Sequence, residues 1–341
     1  MTFKKVLIIS LLPLKPINSG MQNTIFLLHK FLKKKNKVDF LEIKTKSLID
    51  PILNLKFNKK SSEKINNKIN NFQPDLVFIN TSKLLYLYKD LLLGSNRSFK
   101  AILVCHDLYY FRKKYFFQIN KKDKTPLNQN KEIHYIKKTD YIMDFSHLEK
   151  NYLIKKKVSR KKMIDTQTPT FLFKKKIKKR KKYDLVFIGS NWFQNKISVK
   201  WILSNIMKKL PNLSLLVVGA KINSLKNNNK NILFKKYKIE NITLAKIGLA
   251  IIKGGTGRKV KIFEMLALGL PIITNINLKN FGLKNRKHYI FAKTKFQINE
   301  NIRKLIVDSK LRKKISLNAT RWAIKYSNYL MVYKKLNFLF K

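Results

Sequence analysis

The sequence predicts an α/β protein made of two Rossmann-like, doubly wound domains facing each other across a cleft. Three observations predict it. Short apolar runs alternate with amphipathic stretches along most of the chain. The series stops and restarts midway, at a basic segment that follows a proline. The length, 341 residues, suits two domains of roughly 150 residues each. Strands that alternate with helices form parallel sheets with helices on both faces, and ligands of such sheets bind at the carboxyl ends of the strands.

In chain order, Val6–Leu12 is a continuous apolar run that ends in a Pro/Asn/Ser/Gly loop. It reads as a first strand buried on both faces. Lys4-Lys5 before it gives a superficial likeness to a signal peptide, but Pro16 to Ser19 is turn chemistry and no small-residue cleavage site follows. Met21 to Leu32 places Met21, Ile25, Leu28 and Leu32 on one helical face. Val38–Ile43, Leu76–Ile79, Ile102–Cys105 and Tyr141–Met143 read as further strands. Ser146 and Glu149 have capping-box spacing for the helix that follows. After the break, Leu185–Ile188 is a strand, and Asn195 to Leu210 a helix with Val199, Ile202, Ile206 and Leu210 aligned. Leu215–Val218, Leu249–Ile252 and Ile272–Thr274 are strands, Arg258 to Leu268 is a helix, and the last forty or so residues are mostly helical. No run approaches the ~20 apolar residues of a membrane span.

The break, Thr166 to Lys182, contains Pro169 and the run Lys174–Lys182, in which every residue but Ile177 is basic. Like charges at that density stay solvated, which marks a linker. The boundaries expected are 1–167 for an N-terminal domain, 168–325 for a C-terminal domain, and 326–341 for a terminal helix that packs back on the first. The whole chain carries 75 basic and 18 acidic residues, a formal charge of +57. Only nine of the basic residues are arginine. A phosphate-gripping surface would be expected to favour the bidentate arginine fork, and lysine, Asn, Ile, Phe and Tyr share AT-rich codons. Nucleic acid is therefore an unlikely partner, although codon bias leaves the acidic deficit unexplained. Tyr109 to Phe117 mixes aromatics with lysine; it suits either an anionic membrane interface or a buried helix. A single cysteine, Cys105, excludes an intramolecular disulfide and fits a reducing, cytoplasmic compartment.

The segment richest in chemistry runs from Leu249 to Asn275: a strand, then Gly254-Gly255-Thr256-Gly257, then a helix with Lys261 and Glu264, then Gly269-Leu270-Pro271 into a strand. Glycines admit a close backbone approach, and a helix N-terminus offers free N–H groups and a positive dipole end. Together they suit a diphosphate, with Lys261 adding charge. Glu264, three residues on along the same face, is better placed for ribose hydroxyls than for phosphate. A tight strand–helix turn explains the glycines equally well. Asp-x-Asp, His-Glu-x-x-His, Gly-x-Ser-x-Gly and the P-loop motif are all absent, so no metal or cofactor is indicated. Of five histidines, His29, His134, His147 and His288 read as packing residues, whereas His106 ends a predicted strand.

The stretch GGTGRKVKIFEMLALGLPIIT resembles the donor-binding segment of the family-4 retaining glycosyltransferases, which have the GT-B fold. YDLVFIGSNWFQNKISVKWILSNIMKKLPNLSLLVVG is similar to that family's first strand, helix and second strand of the C-terminal domain. Ser19-Gly20 resembles its N-domain glycine loop, VCHDL at Val104–Leu108 its histidine-bearing strand end, and Tyr326-Ser327-Asn328 its C-terminal Phe-Ser-Trp. The resemblance implies a nucleotide-diphospho-sugar donor in the C-terminal domain and a glycan or lipid-linked acceptor in the N-terminal domain. It implies Glu264 on the ribose; Gly255, Thr256 and Gly257 against the diphosphate and sugar; Lys261 neutralising charge; Ser19 and Gly20 closing from the other domain; Gly189 and Ser190 lining the donor site; and His106 at the transferred sugar or acceptor. Two positions depart from the pattern. The first of the family's two glutamates falls at Thr256, and its phosphate-binding arginine falls near Ser190, leaving Lys196 and Lys261 to share that role. A catalytically inactive relative is the rival reading, a basic nucleic-acid-binding protein the less favoured one. Work on a cell-envelope polysaccharide or lipopolysaccharide would place the chain in the cytoplasm, peripheral to the inner membrane.

Overall fold

The computed structural model describes residues 3–17, 19–44, 55–111, 127–143, 146–171, 181–189, 193–219, 229–254 and 258–341. Gly255, Thr256, Gly257 and Ser190 lie outside the described residues, as do most of the basic run at Lys174–Lys182 and the stretch Arg112–Lys122.

The first half comprises β1 (Lys5–Ser10), α1 (Gly20–Leu32), β2 (Lys37–Glu42), α2 (Lys59–Phe72), β3 (Leu76–Asn80), α3 (Ser82–Leu87), α4 (Lys89–Leu93), β4 (Lys100–Val104), α5 (Gln129–Lys138), β5 (Tyr141–Met143) and α6 (His147–Lys155). Its five strands pair in parallel in the order β2-β1-β3-β4-β5. The second half comprises β6 (Tyr183–Ile188), α7 (Phe193–Ile202), β7 (Leu215–Val218), β8 (Ile232–Lys235), α8 (Ile239–Ile242), β9 (Ala245–Ala250), α9 (Val260–Ala267), β10 (Ile272–Thr274), β11 (Ile290–Phe291), α10 (Lys295–Val307), α11 (Ser309–Tyr326) and α12 (Tyr329–Tyr333). Its six strands are also parallel, in the order β11-β10-β9-β6-β7-β8.

Strand periodicity explains why the runs are apolar throughout. Along β1, Leu7 and Ile9 enter one core while Val6 and Ile8 enter the core on the opposite face. Along β6, Leu185 and Phe187 separate from Val186 and Ile188 in the same way. Successive side chains of a strand point to opposite faces, so a strand covered by helices on both sides needs apolar residues at every position.

The end of the chain returns to the first sheet. Tyr329, Val332, Tyr333, Leu336 and Leu339 share a core with Val6, Ile8, Ile25 and Leu28. The Tyr333 hydroxyl donates to the Thr24 carbonyl at 3.0 Å, and Thr170 N–H donates to the Ser327 carbonyl at 2.7 Å.

One predicted helix has a different form. Asn195 to Leu210 is not a uniform α-helix: α7 ends at Ile202 and a π turn runs from Leu203 to Met207, with Lys208 N–H bonding the Leu203 carbonyl at 3.1 Å. Ser204 and Asn205 turn their side chains back onto the Lys200 and Trp201 carbonyls at 3.0 Å each. Such back-bonding competes for the carbonyls of the helical ladder. The wider turn still leaves Val199, Ile202, Ile206 and Leu210 in the core.

Candidate active site

β6 and β9 are the central strands of the second sheet. Beyond β9 the chain continues through Ile251, Ile252 and Lys253 to Gly254. The Asn275 side chain clamps this exit: it accepts from Ile252 N–H at 2.8 Å and donates to the Ile252 carbonyl at 3.0 Å. Gly254 has φ 146, a conformation open to glycine and rarely to other residues. The loop then enters α9, whose cap residue is Lys259 and whose first turn holds no acid. The positive end of that helix is therefore not neutralised from within.

Two polar side chains of α9 stand near this end, Lys261 half-buried and Glu264 buried. Lys261 Nζ donates to Asn195 Oδ1 at 2.7 Å and lies 4.5 Å from the centre of the Phe187 ring. Burial, and then the neighbouring Lys259, push its pKa down to about 7. Asn195 is held close to Gly189: a Cβ on Gly189 would come within 2.9 Å of the Asn195 Cβ and of the Phe187 ring. That position ends β6 and leaves no room for a side chain. Glu264, 9% exposed, accepts a short hydrogen bond from the Tyr237 hydroxyl. Burial pushes its carboxyl up to about 8. Lys196 is half-buried on α7, next to Asn195.

The first half supplies the opposite wall. Ser19 caps α1 by accepting from Gln22 N–H at 3.2 Å, so Gly20 opens the helix. A Cβ on Gly20 would stand 2.9 Å from the Val260 Cβ, closer than real Cβ atoms approach. Gly20 thus lets the loop after β1 reach the start of α9. His106 follows β4 and Cys105, is 8% exposed, and has φ 52. Left-handed backbone on a non-glycine residue is uncommon and is held only by its surroundings. Lys259 faces Asp107 and Glu149 of the first half, whose charges offset part of the lowering that burial imposes on its ammonium. Arg258 crosses the same seam, donating to the Gln167 carbonyl at 2.9 Å and to the Thr166 carbonyl and hydroxyl at 2.5 and 2.8 Å.

No family model and no curated protein matches the sequence. Solved structures do. Sucrose-phosphate synthase from Thermosynechococcus elongatus aligns over 99% of this chain and 98% of its own, at 12% identity and a TM-score of 0.73. HepE from Anabaena, in complex with UDP and glucose, aligns over 99% of each chain at 10% identity, with a TM-score of 0.73. An alpha-glucosyltransferase in complex with UDP and a 13-mer DNA containing a HMU base aligns over 100% of each chain at 13% identity, with a TM-score of 0.65. The fold is GT-B.

Within this GT-B frame, Lys261 and Gly189 meet at Asn195, with Lys196 next to Asn195 in the chain and Glu264 three residues beyond Lys261 on α9; from the N-terminal half Gly20 meets Val260, Ser19 caps α1, and His106 follows β4. The placement of Ser190, Gly255, Thr256 and Gly257 is outside the described residues. The sequence reading assigned no role to several residues that shape the site. Tyr237 lies 27 positions before the carboxylate it meets, and Asn275 lies 23 positions after the strand end it clamps; no local pattern connects either pair. Arg258 read as the first residue of a helix, whereas the helix starts at Val260 and Arg258 bridges the two halves.

Proposed function

We propose that this chain is a glycosyltransferase that moves a sugar from a nucleotide diphosphate to a glycan or lipid-linked acceptor of the cell envelope, without a metal. The observation that carries this reading is one helix start, α9, where an uncapped N-terminus, the Lys261 ammonium and the buried Glu264 carboxyl meet at the carboxyl end of a parallel sheet. Departure of a nucleoside diphosphate develops negative charge. Preorganised N–H groups and a cation in a water-poor site stabilise that charge. Asn195 holds Lys261 ready at 2.7 Å. Glu264 offers acceptor oxygens to ribose hydroxyls, with Tyr237 already seated as one donor. His106 is the residue that the sequence resemblance assigns to the transferred sugar.

UDP is the nucleotide to try first, since HepE and the alpha-glucosyltransferase are both seen with it. Retention of configuration follows from the sequence resemblance. The envelope acceptor implies a place at the cytoplasmic face of the inner membrane; among the described residues no helix is long and apolar enough to cross it.

The test is calorimetric titration of the purified protein with nucleoside diphosphates, followed by transfer assays with the sugar form of the best binder. Glu264→Ala and Lys261→Ala are expected to fold and to lose at least tenfold in affinity. Wild-type protein that binds no nucleoside diphosphate would overturn the proposal.

A further inference from the structure

His106 has a left-handed backbone, φ 52, at the end of a strand. Asp107 N–H closes this corner on the Cys105 carbonyl at 2.6 Å, and the chain just downstream is tied to two helices. Leu108 N–H donates to Glu149 Oε1 at 2.7 Å. Tyr109 N–H donates to Glu132 Oε1 at 2.7 Å, and Tyr110 N–H to Glu132 Oε2 at 2.8 Å. Three successive backbone N–H groups after the His106–Asp107 corner are thus taken by two carboxylates from two different helices, α5 and α6. Both are buried, Glu132 at 2% and Glu149 at 0% exposure. Each is anchored in turn: Glu132 Oε1 also accepts from the Ser82 hydroxyl at 2.5 Å, and Glu149 Oε2 accepts from Ser146 N–H at 2.7 Å in a capping box.

Ordinary helix capping uses only one side of Glu149. Its other oxygen reaches 41 residues back to the histidine loop. The chain has 18 acidic residues, and burying two of them is costly unless hydrogen bonds satisfy them. Here they are satisfied by the backbone of one corner.

We propose that Glu132 and Glu149 are positioning residues for His106, holding the corner that aims the imidazole into the cleft. This rests on the reading of His106 given above. Glu149 also faces Lys259 of the donor loop and Asp107 of the corner itself. It therefore ties the histidine corner to the loop that enters α9. The charged and polar groups around the pair include Asp107, Lys259, Tyr152, Ser146 and Ser82, and the buried Lys83 lies over the Tyr109 ring at 5.0 Å.

The experiment uses the full chain with UDP and a UDP-sugar, comparing wild type, His106→Ala, Glu132→Gln, Glu149→Gln and the two alanine variants. Each measurement pairs kcat with the Kd for UDP. A glutamine keeps one acceptor oxygen and an alanine keeps none. The expected result is a fall in kcat of at least tenfold for each alanine variant, a smaller fall for each glutamine variant, and a Kd for UDP within twofold of wild type throughout. Hydrogen exchange at the Leu108–Tyr110 amides should be slow in wild type and faster in the variants by a similar order. Full kcat in both glutamine and alanine variants, alongside loss of activity in His106→Ala, overturns the positioning role and leaves the function standing. Parallel loss of kcat and UDP affinity also overturns it, because it would mark a general structural effect. Full activity in His106→Ala overturns both readings of that residue.

Discussion

At the scale of single residues, three buried carboxyls and the half-buried Lys261 amine contribute to the pH behaviour of this protein. Burial raises Glu264 to about 8 and both Glu132 and Glu149 to about 7. A carboxyl whose folded pKa exceeds its unfolded value of about 4.5 leaves the native state binding more protons than the unfolded state between those two values. The stability it contributes is present below about pH 4.5 and is lost as pH rises through the folded pKa. Denaturant unfolding should therefore show stability falling between pH 5 and pH 8, and Glu264→Gln should remove the most alkaline part of that fall. An unchanged slope in that variant would show that Glu264 ionises normally. Lys261, lowered to about 7, contributes with the opposite sign: between pH 7 and about 10.5 the unfolded chain holds the extra proton, so its share of stability rises with pH. Ligand binding has its own dependence. UDP affinity should weaken as pH rises past neutrality, because Lys261 loses its charge and Glu264 gains one. Lys261→Arg, with a guanidinium that stays protonated, should flatten the first part of that loss in a calorimetric series from pH 6 to 9.

At the scale of elements, the meeting of β6 with α7 decides whether Lys261 has a partner. Gly189 ends the strand, and a methyl group there would press on both Asn195 and Phe187 at 2.9 Å. Gly189→Ala is expected to cost about 1–3 kcal/mol of stability, as overpacking generally does, and to weaken UDP binding by displacing the amide that holds the ammonium. Equal affinity with an altered melting temperature would separate packing from binding. Elements are also where the sequence was most legible. Tyr141–Met143, Leu215–Val218 and Ile272–Thr274 read as the strands they form, because a strand covered on both faces is a short unbroken apolar run. The edge strands Ile232–Lys235 and Ile290–Phe291 had no such signature. Their runs are too brief to stand out, two residues in β11 and three before a lysine in β8; edge position is not the reason, since β2 and β5 are edge strands too and were legible. The π turn after Ile202 was equally invisible, since apolar spacing alone does not report where Ser204 and Asn205 aim their side chains.

At the scale of the whole molecule, the segment entering α9 is joined to the opposite half by Arg258. Its three bonds end on Thr166 and Gln167, just before the chain crosses to the second sheet. Arg258→Ala should loosen the two halves: the radius of gyration from X-ray scattering in saturating UDP should exceed that of wild type, and kcat should fall more than UDP affinity. Identical scattering curves would refute the coupling. The +57 charge also belongs to this scale. Exposed lysines sit on helices of both halves, among them Lys59, Lys60 and Lys64 of α2 and Lys310, Lys313 and Lys314 of α11. Lysine is thus exposed on helices of both halves. The stretches expected to concentrate it, Arg112–Lys122 and most of Lys174–Lys182, are outside the described residues.

The sequence by itself determined the two parallel sheets, the strand–loop–helix segment around Lys261 and Glu264, and the weight placed on His106. Each of these is local: apolar periodicity, glycines at a turn, and a scarce acid three residues from a lysine can be read within a short window. Only the tertiary structure decided which partners those residues have. Asn195 on Lys261, Tyr237 on Glu264, Glu132 and Glu149 behind His106, and Gly20 against Val260 join positions from 23 to 240 residues apart. Parallel strands place distant turns side by side at one edge of a sheet, and packing fixes which side chains meet there.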